Sequence, residues 1–284
     1  MLCWHAWKIP RMDCFMADNR SYSHIAERRL ILVWKHLFQR LQPAPHQCCL
    51  FVAGMQRSGT NMVMDVLERS LRTEVFHETD PRAFHDYELL DQTVLQSLVS
   101  QSNAPVKVFK ALLECDLIPH LLDNFSPAKA IWPVRDYRDV INSARRSFPH
   151  LKRTIQRMLK EPSNEYWQSR GVNPTIYNIL SAHYDDNLSI EDSAALFWFA
   201  RNHLYFDLEM SSDERIMLIR YEDLVTRPEK EFRDLFAFAG LPFSSWIVRN
   251  VHARSVARNR QPKLREPIAQ LCEDLYQRFH NVAN

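Results

Sequence analysis

Short apolar stretches alternate along the chain with longer segments in which apolar residues recur every three or four positions. The short stretches predict buried β-strands at residues 48–53, 73–76, 106–109, 129–134 and 215–221. The longer segments predict helices at residues 61–71, 87–100, 119–124, 139–147, 190–209, 228–239 and 266–279. Because strands and helices alternate throughout, we expect a single α/β domain with a mostly parallel sheet, flanked by helices on both faces.

Two segments do not follow this alternation. Residues 1–24 mix tryptophan, histidine, aspartate and lysine without an apolar core, which predicts a disordered leader before a domain at 25–284. Residues 148–190 combine prolines, polar residues and scattered aromatics, which predicts a helical or irregular insertion. Its polar and aromatic side chains either shape a substrate pocket or pack as ordinary loop residues: Trp167, Tyr177, His183, Tyr184 and Asp186.

The apolar run from Leu30 to Trp34 is too short to span a bilayer. Four basic residues flank this run and favour a surface helix: Arg28, Arg29, Lys35 and Arg40. Two interpretations stay open, a helix packed on the domain and a helix that touches a membrane surface. The N-terminal residues do not have the pattern of a signal peptide, so we expect a cytoplasmic protein without a transmembrane anchor.

Composition narrows the function classes. The formal net charge is +2 over 284 residues, which gives no reason to expect binding to nucleic acid. The six cysteines form no C-x-x-C pair, and the adjacent Cys48 and Cys49 cannot easily bond to each other. We therefore expect free thiols in a reducing compartment and no metal site.

The stretch Leu50 to Asn61, with the sequence LFVAGMQRSGTN, carries the strongest chemical signal. An apolar strand runs into a loop that holds Gly54 and Gly59, two of only four glycines in the chain, and a helix follows. This order is typical of a phosphate-binding loop, in which backbone N–H groups and the helix dipole hold the anion. Thr60 stands where nucleotide-hydrolysing loops have lysine, and Arg57 lies inside the loop. The loop therefore argues against hydrolysis of ATP and favours the binding of another anionic nucleotide.

A second basic segment follows a later predicted strand, in Trp132 to Ser143 with the sequence WPVRDYRDVINS. Arg135 ends the strand, and Ser143 lies about two turns into the next helix, so the pair can hold a second phosphate between them. The alternative is a set of surface ion pairs among Arg135, Asp136, Arg138 and Asp139. Because carboxyl ends of parallel strands share one edge, we expect the loops after Ala53, Phe109 and Val134 to meet.

The two motifs GMQRSGT and IWPVRDYRDVINS, in this order, resemble the nucleotide-binding pair of sulfotransferases that use 3′-phosphoadenosine 5′-phosphosulfate (PAPS). The likeness extends to VKVFK at 106–110 and IRYEDL at 219–224, and covers about residues 48–243. It implies a P-loop-like core in which the nucleotide is held by Gly54, Arg57, Ser58, Gly59, Thr60, Asn61, Arg135, Ser143 and Tyr221. The basic segment 254–263 resembles the C-terminal segment that closes over the 3′-phosphate, without its usual glycine-rich form, and this implies roles for Arg258 and Arg260.

The resemblance also implies a mechanism. A sulfuryl group passes in line from PAPS to a hydroxyl or amine, 3′,5′-ADP leaves, and no metal is needed. Arg57, helped by Lys110, would stabilise the charge on the leaving phosphate.

The acceptor needs a base, and the Lys-x-His of small-molecule members is absent, because Leu112 stands in place of the histidine. Members that act on protein tyrosine carry a glutamate about twenty residues after the loop arginine, which here matches Glu78. We expect Glu78 as the base, with His77 as the second choice and His85 or Glu114 after it. The alternative for Glu78 is a capping or surface carboxylate.

Three function classes therefore compete: a PAPS-dependent sulfotransferase, a P-loop-type kinase or NTPase, and a nucleotide-binding module without catalysis. The resemblance favours the first. The missing loop lysine, and Arg135 before the acidic residue at the strand end, argue against the second, and the presence of Arg57 and Glu78 argues against the third. The acceptor class stays open among metabolite, carbohydrate and peptide. A homodimer is also compatible with the sequence.

Overall fold

The computed structural model describes residues 22–42, 45–160, 166–253 and 261–283. Among them the strands are β1 (Cys48–Val52), β2 (Thr73–Phe76), β3 (Phe84–His85), β4 (Glu88–Leu89), β5 (Val106–Lys110), β6 (Ala128–Val134) and β7 (Ile216–Arg220). Five of these strands form one sheet in the order β2-β5-β1-β6-β7, and every neighbouring pair is parallel. The predicted α/β class is therefore confirmed.

Helices surround this sheet. The described α-helices are α1 (Tyr22–Leu41), α2 (Thr60–Glu68), α3 (Gln92–Gln101), α4 (Ile118–Asn124), α5 (Tyr137–Ser147), α6 (Leu151–Lys160), α7 (Pro174–His183), α8 (Ile190–Asp207), α9 (Tyr221–Thr226), α10 (Pro228–Phe238) and α11 (Glu266–Ala283). Short 3₁₀ turns lie at Cys115–Leu117, Met210–Ser212 and Ser245–Val248. None of the described helices is long and apolar enough to cross a membrane.

Strand β1 lies at the centre of the sheet and is buried on both faces. Cys49 and Phe51 belong to one apolar cluster, which includes side chains of α5, α8 and α11. Leu50 and Val52 belong to a second cluster on the opposite face, with side chains of α2 and α10. A strand covered on both faces has no polar side to alternate with, which explains its continuous apolar sequence.

The parallel order brings the expected loops together. β1 pairs with β5 on one side and with β6 on the other, and all three strands run in the same direction. Their carboxyl ends therefore lie at one edge of the sheet, and the loops after Ala53, Phe109 and Val134 start there. This part of the sequence prediction is confirmed.

The helix predicted over 87–100 begins later than expected. Phe84–His85 and Glu88–Leu89 form an antiparallel hairpin, and α3 starts only at Gln92. The two turn residues of the hairpin, Asp86 and Tyr87, both have positive φ, at 48° and 71°. Two-residue hairpin turns require this backbone conformation, which usually selects glycine or asparagine. The turn was missed because neither residue carries that signal.

In the segment 148–190, for which a helical or irregular insertion was predicted, the described part is mainly helical. Leu151, Ile155 and Met158 are buried on one side of α6, which packs on α8. The side chain of Asn173 caps α7 by accepting a hydrogen bond from the Ile176 N–H. Trp167 packs edge-on against Phe197 of α8, with ring centroids 5.9 Å apart, so this residue belongs to the core packing.

The predicted N-terminal leader is mostly outside the structure's described residues. Residues 1–21 lie outside the described residues, and a helix already begins at Tyr22, before the predicted domain boundary at 25. This helix, α1, is 20 residues long and therefore extends well beyond the apolar run at 30–34 from which a surface helix was predicted.

Candidate active site

The loop between β1 and α2 needs its two glycines. Gly54 and Gly59 have φ values of 90° and 94°, in the left-handed region that side chains disfavour. A Cβ on Gly59 would lie 2.4 Å from Cδ2 of Tyr221, and one on Gly54 would lie 3.0 Å from the Pro133 carbonyl oxygen. Arg57 adopts a positive φ of 72° without being glycine. The loop backbone is therefore strained and closely surrounded, as is common where a backbone must approach a ligand.

The N-terminal end of α2 offers donors to an anion. Thr60 is its first residue, and the hydroxyl of the preceding Ser58 is fully buried without a hydrogen-bond partner among the described residues. A buried hydroxyl normally has a partner, because leaving it without one costs about 1–3 kcal/mol. An oxyanion at the helix N-terminus would supply that partner. The loop thus fits the phosphate group that the sequence predicts.

Lys110, the last residue of β5, connects this loop to the favoured base. Its Nζ lies 2.6 Å from Oδ1 of Asn61 and 2.7 Å from Oε2 of Glu78. The Lys110 side chain is only 4% exposed, whereas that of Glu78 is 27% exposed. A buried ammonium therefore lies between the phosphate-binding loop and a carboxylate that solvent can reach.

The two predicted nucleotide motifs are in direct contact. Nε of Arg57 donates to Oγ of Ser143 at 2.7 Å, across 86 residues of sequence. Nη1 of Arg135 lies 3.4 Å from the carbonyl oxygen of Arg57, a long contact. The Arg57 side chain is therefore directed towards the segment predicted to hold the second phosphate. The resemblance had implied instead that Arg57 stabilises the leaving phosphate, at the bond between sulfur and oxygen that breaks.

Arg135 is held from two sides. Its Nη2 lies 3.2 Å from Oδ2 of Asp139, and both side chains are about 90% buried. Its guanidinium also stacks on the ring of Tyr221, with 4.3 Å between its central carbon and the ring centroid. Ion pairs do form in this segment, as the alternative predicts. The pair of Arg135 and Asp139 is buried, whereas Arg138 pairs with Asp136 at 3.2 Å with both side chains partly exposed. The contacts of Arg135 fix a planar cation beside the loop, near the carbonyl oxygen of Arg57.

Sequence reasoning missed Glu222, which follows Tyr221 directly. Its Oε1 accepts a hydrogen bond from the backbone N–H of Asp136 at 3.0 Å, and burial raises the pKa of its carboxyl. Glu222 thus joins the start of α9 to the turn after β6, where Arg135 lies. Its position next to Tyr221 in the segment IRYEDL was the only signal that could have identified it.

The other candidate bases have different surroundings. Nε2 of His77 lies 3.2 Å from Oε1 of Glu68. Burial alone would raise the pKa of Glu68, but hydrogen bonds from His77 and Arg28 outweigh it and lower the pKa to about 2. The His85 side chain is 81% exposed beside Asp86.

Glu114 is 4% exposed and accepts a hydrogen bond from the Leu89 N–H at 2.8 Å. Burial raises its pKa to about 7. Among the contacts of these four candidates, that of Glu78 reaches Lys110 and, through it, the loop residue Asn61.

The predicted basic segment can be followed only at its end. Arg258 and Arg260 lie outside the described residues. Further along, the backbone N–H groups of Lys263 and Arg265 donate to Glu191 and Asp192 at the N-terminus of α8, at 3.0 and 2.9 Å. The segment thus returns to the body of the domain at α8. Within the described ranges, no three His, Cys, Asp or Glu side chains form a metal-binding group.

Known proteins are similar to this chain in fold. A sulfotransferase from Alicyclobacillus acidocaldarius is 16% identical, with a TM-score of 0.51, and the match covers 84% of this chain and 96% of that one. A sulfotransferase domain from the curacin biosynthetic pathway is 17% identical, with a TM-score of 0.45, over 82% of this chain and 99% of that one. At these identities the first match shows a shared fold.

A curated relative, an uncharacterized protein of Archaeoglobus fulgidus, is 27% identical over 84 residues. That match spans 29% of this chain and only 26% of the relative. The sulfotransferase domain model, by contrast, matches residues 49–266, which is most of the chain and includes both motifs. The chain therefore belongs to the sulfotransferase domain family.

Proposed function

We propose that this protein transfers a sulfuryl group from PAPS to a hydroxyl or amine of an acceptor and releases 3′,5′-ADP. The observation that carries the proposal is the position of Lys110, which contacts both Asn61 of the phosphate-binding loop and Glu78. This arrangement provides a cation where a leaving phosphate gains charge and a carboxylate where an acceptor loses a proton.

The donor is proposed to bind through both motifs. The α2 N-terminus with Ser58, Thr60 and Asn61 would hold the 5′-phosphosulfate, because backbone N–H groups and hydroxyls there can donate to oxyanions. Arg135 and Ser143 would hold the 3′-phosphate. The buried, unpartnered hydroxyl of Ser58 supports this assignment. Gly54, Gly59 and Tyr221 would shape the loop around the nucleotide, and Arg258 and Arg260 remain proposed contacts.

In the proposed reaction, Glu78 removes the proton of the acceptor group as that group attacks sulfur. The bond between sulfur and the bridging phosphate oxygen breaks, and the electron pair stays on that oxygen. Lys110 offsets the new negative charge, and Arg57 joins it if its side chain turns away from Ser143. A sulfuryl group carries less charge than a phosphoryl group, so these cations suffice for the proposed step.

The reducing interior of the cell is the proposed compartment. Cys48, Cys49, Cys115 and Cys272 are all buried and are present as free thiols. Desolvation by burial raises the pKa of the Cys48 and Cys115 thiols to about 11, which keeps them unreactive. Such buried thiols are typical of proteins that do not depend on disulfides.

The test is an acceptor screen with PAPS labelled in its sulfate. The purified protein is incubated with fractions of metabolites, polysaccharides and peptides, and labelled products are counted. We expect label in at least one acceptor class and formation of 3′,5′-ADP in equal amount. A parallel reaction receives ATP labelled in its γ-phosphate with Mg²⁺. Turnover of ATP without sulfate transfer would establish the kinase or NTPase alternative, and binding of PAPS without any transfer would establish the non-catalytic one.

A further inference from the structure

Helix α1 docks on the domain through polar side chains. Nζ of Lys35 donates to the Glu68 carbonyl oxygen at 2.7 Å and to Oγ1 of Thr73 at 2.9 Å. Nε2 of Gln39 donates to the carbonyl oxygens of Leu71 and Thr73, both at 2.9 Å. Lys35 and Gln39 are buried, as polar groups rarely are unless they are paired. These contacts fix which side of α1 faces the protein.

The opposite side of α1 is apolar and exposed. Five side chains form one stripe, at the spacing that lines up residues on a helix face. Their exposed fractions are large: Leu30 62%, Val33 59%, Trp34 67%, Leu37 46% and Leu41 80%. Helix α1 therefore turns its polar side to the domain and its apolar side to solvent. A helix that packs its apolar stripe on a core has the opposite orientation. This stripe precedes residue 49, where the match to the family model begins.

One border of this stripe is basic. Arg29, His36 and Arg40 are exposed and, spaced by seven and four residues, lie on one side of the helix. No aspartate or glutamate occurs between Arg28 and Leu41. Arg28 is turned to the domain, where it forms a bidentate ion pair with Glu68. The outward charge of this part of α1 is therefore positive.

We propose that the outward face of α1 binds an anionic membrane surface, with the stripe inserted among the lipid headgroups. Leucine and tryptophan side chains on a helix with a basic border are the composition of interfacial helices. Trp34 lies at the middle of the stripe, and tryptophan favours the boundary between headgroup and hydrocarbon. Arg29 and Arg40 would add attraction to anionic lipids. The helix lies on the surface in this arrangement and does not span the bilayer.

A second copy of the chain fits this face less well. From residue 30 to residue 41 the stripe is only about 16 Å long, at about 1.5 Å per residue. A stable protein–protein interface needs roughly 800 Å² and about 20–30 residues from each partner. A symmetric contact through five residues would also bring two like-charged borders close together. Binding to a membrane needs neither an interface of that size nor an oppositely charged protein surface.

Co-sedimentation of the full chain with lipid vesicles tests this proposal. The vesicles contain phosphatidylcholine alone or phosphatidylcholine with phosphatidylserine. We expect binding to the anionic vesicles at least about tenfold tighter than to the neutral ones, since each basic side chain near the surface adds to the attraction. The variant Leu30→Ser/Trp34→Ser/Leu37→Ser should lose at least about tenfold in binding to the anionic vesicles. The variant Arg29→Glu/Arg40→Glu should lose the preference for phosphatidylserine.

The control is Trp246→Ser, which removes a tryptophan that is 41% exposed elsewhere on the surface and should leave vesicle binding unchanged. All substituted positions on α1 face solvent, so the unfolding midpoint should match that of the unchanged protein. Equal sedimentation of the triple serine variant and the unchanged protein would overturn the proposal. A dimer that forms without lipid and is lost in the triple variant would assign the face to a second copy instead.

Discussion

The ammonium of Lys110 forms an ion pair with the carboxylate of Glu78, with Nζ 2.7 Å from Oε2. The two residues are 32 positions apart in sequence, at the end of β5 and just beyond the end of β2. β2 and β5 are neighbours in the sheet, and both strands end at the edge where the phosphate-binding loop lies. The sheet order therefore places this pair at the edge that carries the loop between β1 and α2.

Replacing Glu78 by glutamine should lower sulfate transfer by about 10²–10⁴-fold, because the amide cannot accept the proton of the acceptor. Binding of 3′,5′-ADP should change by less than about twofold, since Glu78 is not proposed to touch the nucleotide. The measurement is the transfer rate from labelled PAPS together with calorimetric titration of 3′,5′-ADP.

The matched control for Glu78→Gln is Glu74→Gln. Glu74 lies on β2 and pairs with the exposed Arg82, so its loss should leave the rate unchanged. His77→Gln separates the two neighbouring candidates. If His77→Gln removes transfer and Glu78→Gln does not, then the base is His77.

Replacing Arg135 by alanine should abolish the preference for a nucleotide with a 3′-phosphate. A hydrogen bond to a charged group contributes about 1.5–3 kcal/mol, so the ratio of affinities for 3′,5′-ADP and AMP should fall by about tenfold or more. The substitution also removes the ion pair of Arg135 with the buried Asp139, which destabilises the fold. The ratio of the two affinities is therefore measured rather than either affinity alone. A ratio that survives in both Arg135→Ala and Arg135→Ala/Asp139→Asn would contradict the assignment.

Gly59→Ala should destabilise the protein more than Gly240→Ala does. Both glycines have positive φ, at 94° and 69°, so both variants carry the backbone penalty of about 1–2 kcal/mol. Only at Gly59 would the new Cβ meet a ring, that of Tyr221 at 2.4 Å, whereas the nearest atom at Gly240 is 4.0 Å away. Overpacking adds about 1–3 kcal/mol to the cost at Gly59. Urea unfolding measures the free energy of unfolding of both variants. Equal losses of stability would show that the Tyr221 ring moves aside freely.

Glu114 should make stability depend on pH in a defined window. The carboxyl has an ordinary pKa of 4.5, and burial raises it to about 7 in the folded protein. Between these values the unfolded chain has lost the proton that the folded chain keeps, so the free energy of unfolding falls as pH rises from 4.5 to about 7. The carboxyl of Glu68 has the opposite effect, because its pKa is lowered to about 2 in the folded protein. The stability that Glu68 contributes is therefore lost as pH falls from 4.5 towards 2.

The variant Glu114→Gln tests this dependence, because glutamine resembles the protonated carboxyl. It should remove the decline between pH 4.5 and about 7, and be more stable than the unchanged protein by about 3 kcal/mol at higher pH, since one pKa unit corresponds to about 1.4 kcal/mol. Urea unfolding across this range gives the slope. An unchanged slope in the variant would show that Glu114 is not responsible.

The approach of the two motifs to each other could be predicted from sequence, and other parts of the site could not. The loops after Ala53 and Val134 were expected to meet because parallel strands deliver their loops to one edge, but the hydrogen bond between Arg57 and Ser143 was not predicted. The hydrogen bond between Lys110 and Asn61 depends on β5 being the direct neighbour of β1, and sequence alone does not give the order of strands. The side-chain direction of Arg57 depends on its positive φ, which only tertiary contacts enforce.

Helix α1 shows how tertiary contacts can override a pattern. Apolar residues at helical spacing normally predict the buried side, yet Lys35 and Gln39 are buried and Trp34 is exposed. The decisive partners of Lys35 and Gln39 are mostly backbone carbonyl groups between the end of α2 and the start of β2. Carbonyl groups carry no sequence signal, so the inversion could not be predicted.

The proposed function depends above all on selective binding of 3′,5′-ADP. Calorimetric titration of the unchanged protein with 3′,5′-ADP, AMP and ATP with Mg²⁺ tests this claim without knowledge of the acceptor. We predict that 3′,5′-ADP binds at least about tenfold more tightly than either other nucleotide, because only this ligand engages the α2 N-terminus and Arg135 together. Tighter binding of ATP with Mg²⁺, or equal binding of AMP and 3′,5′-ADP, would contradict the account.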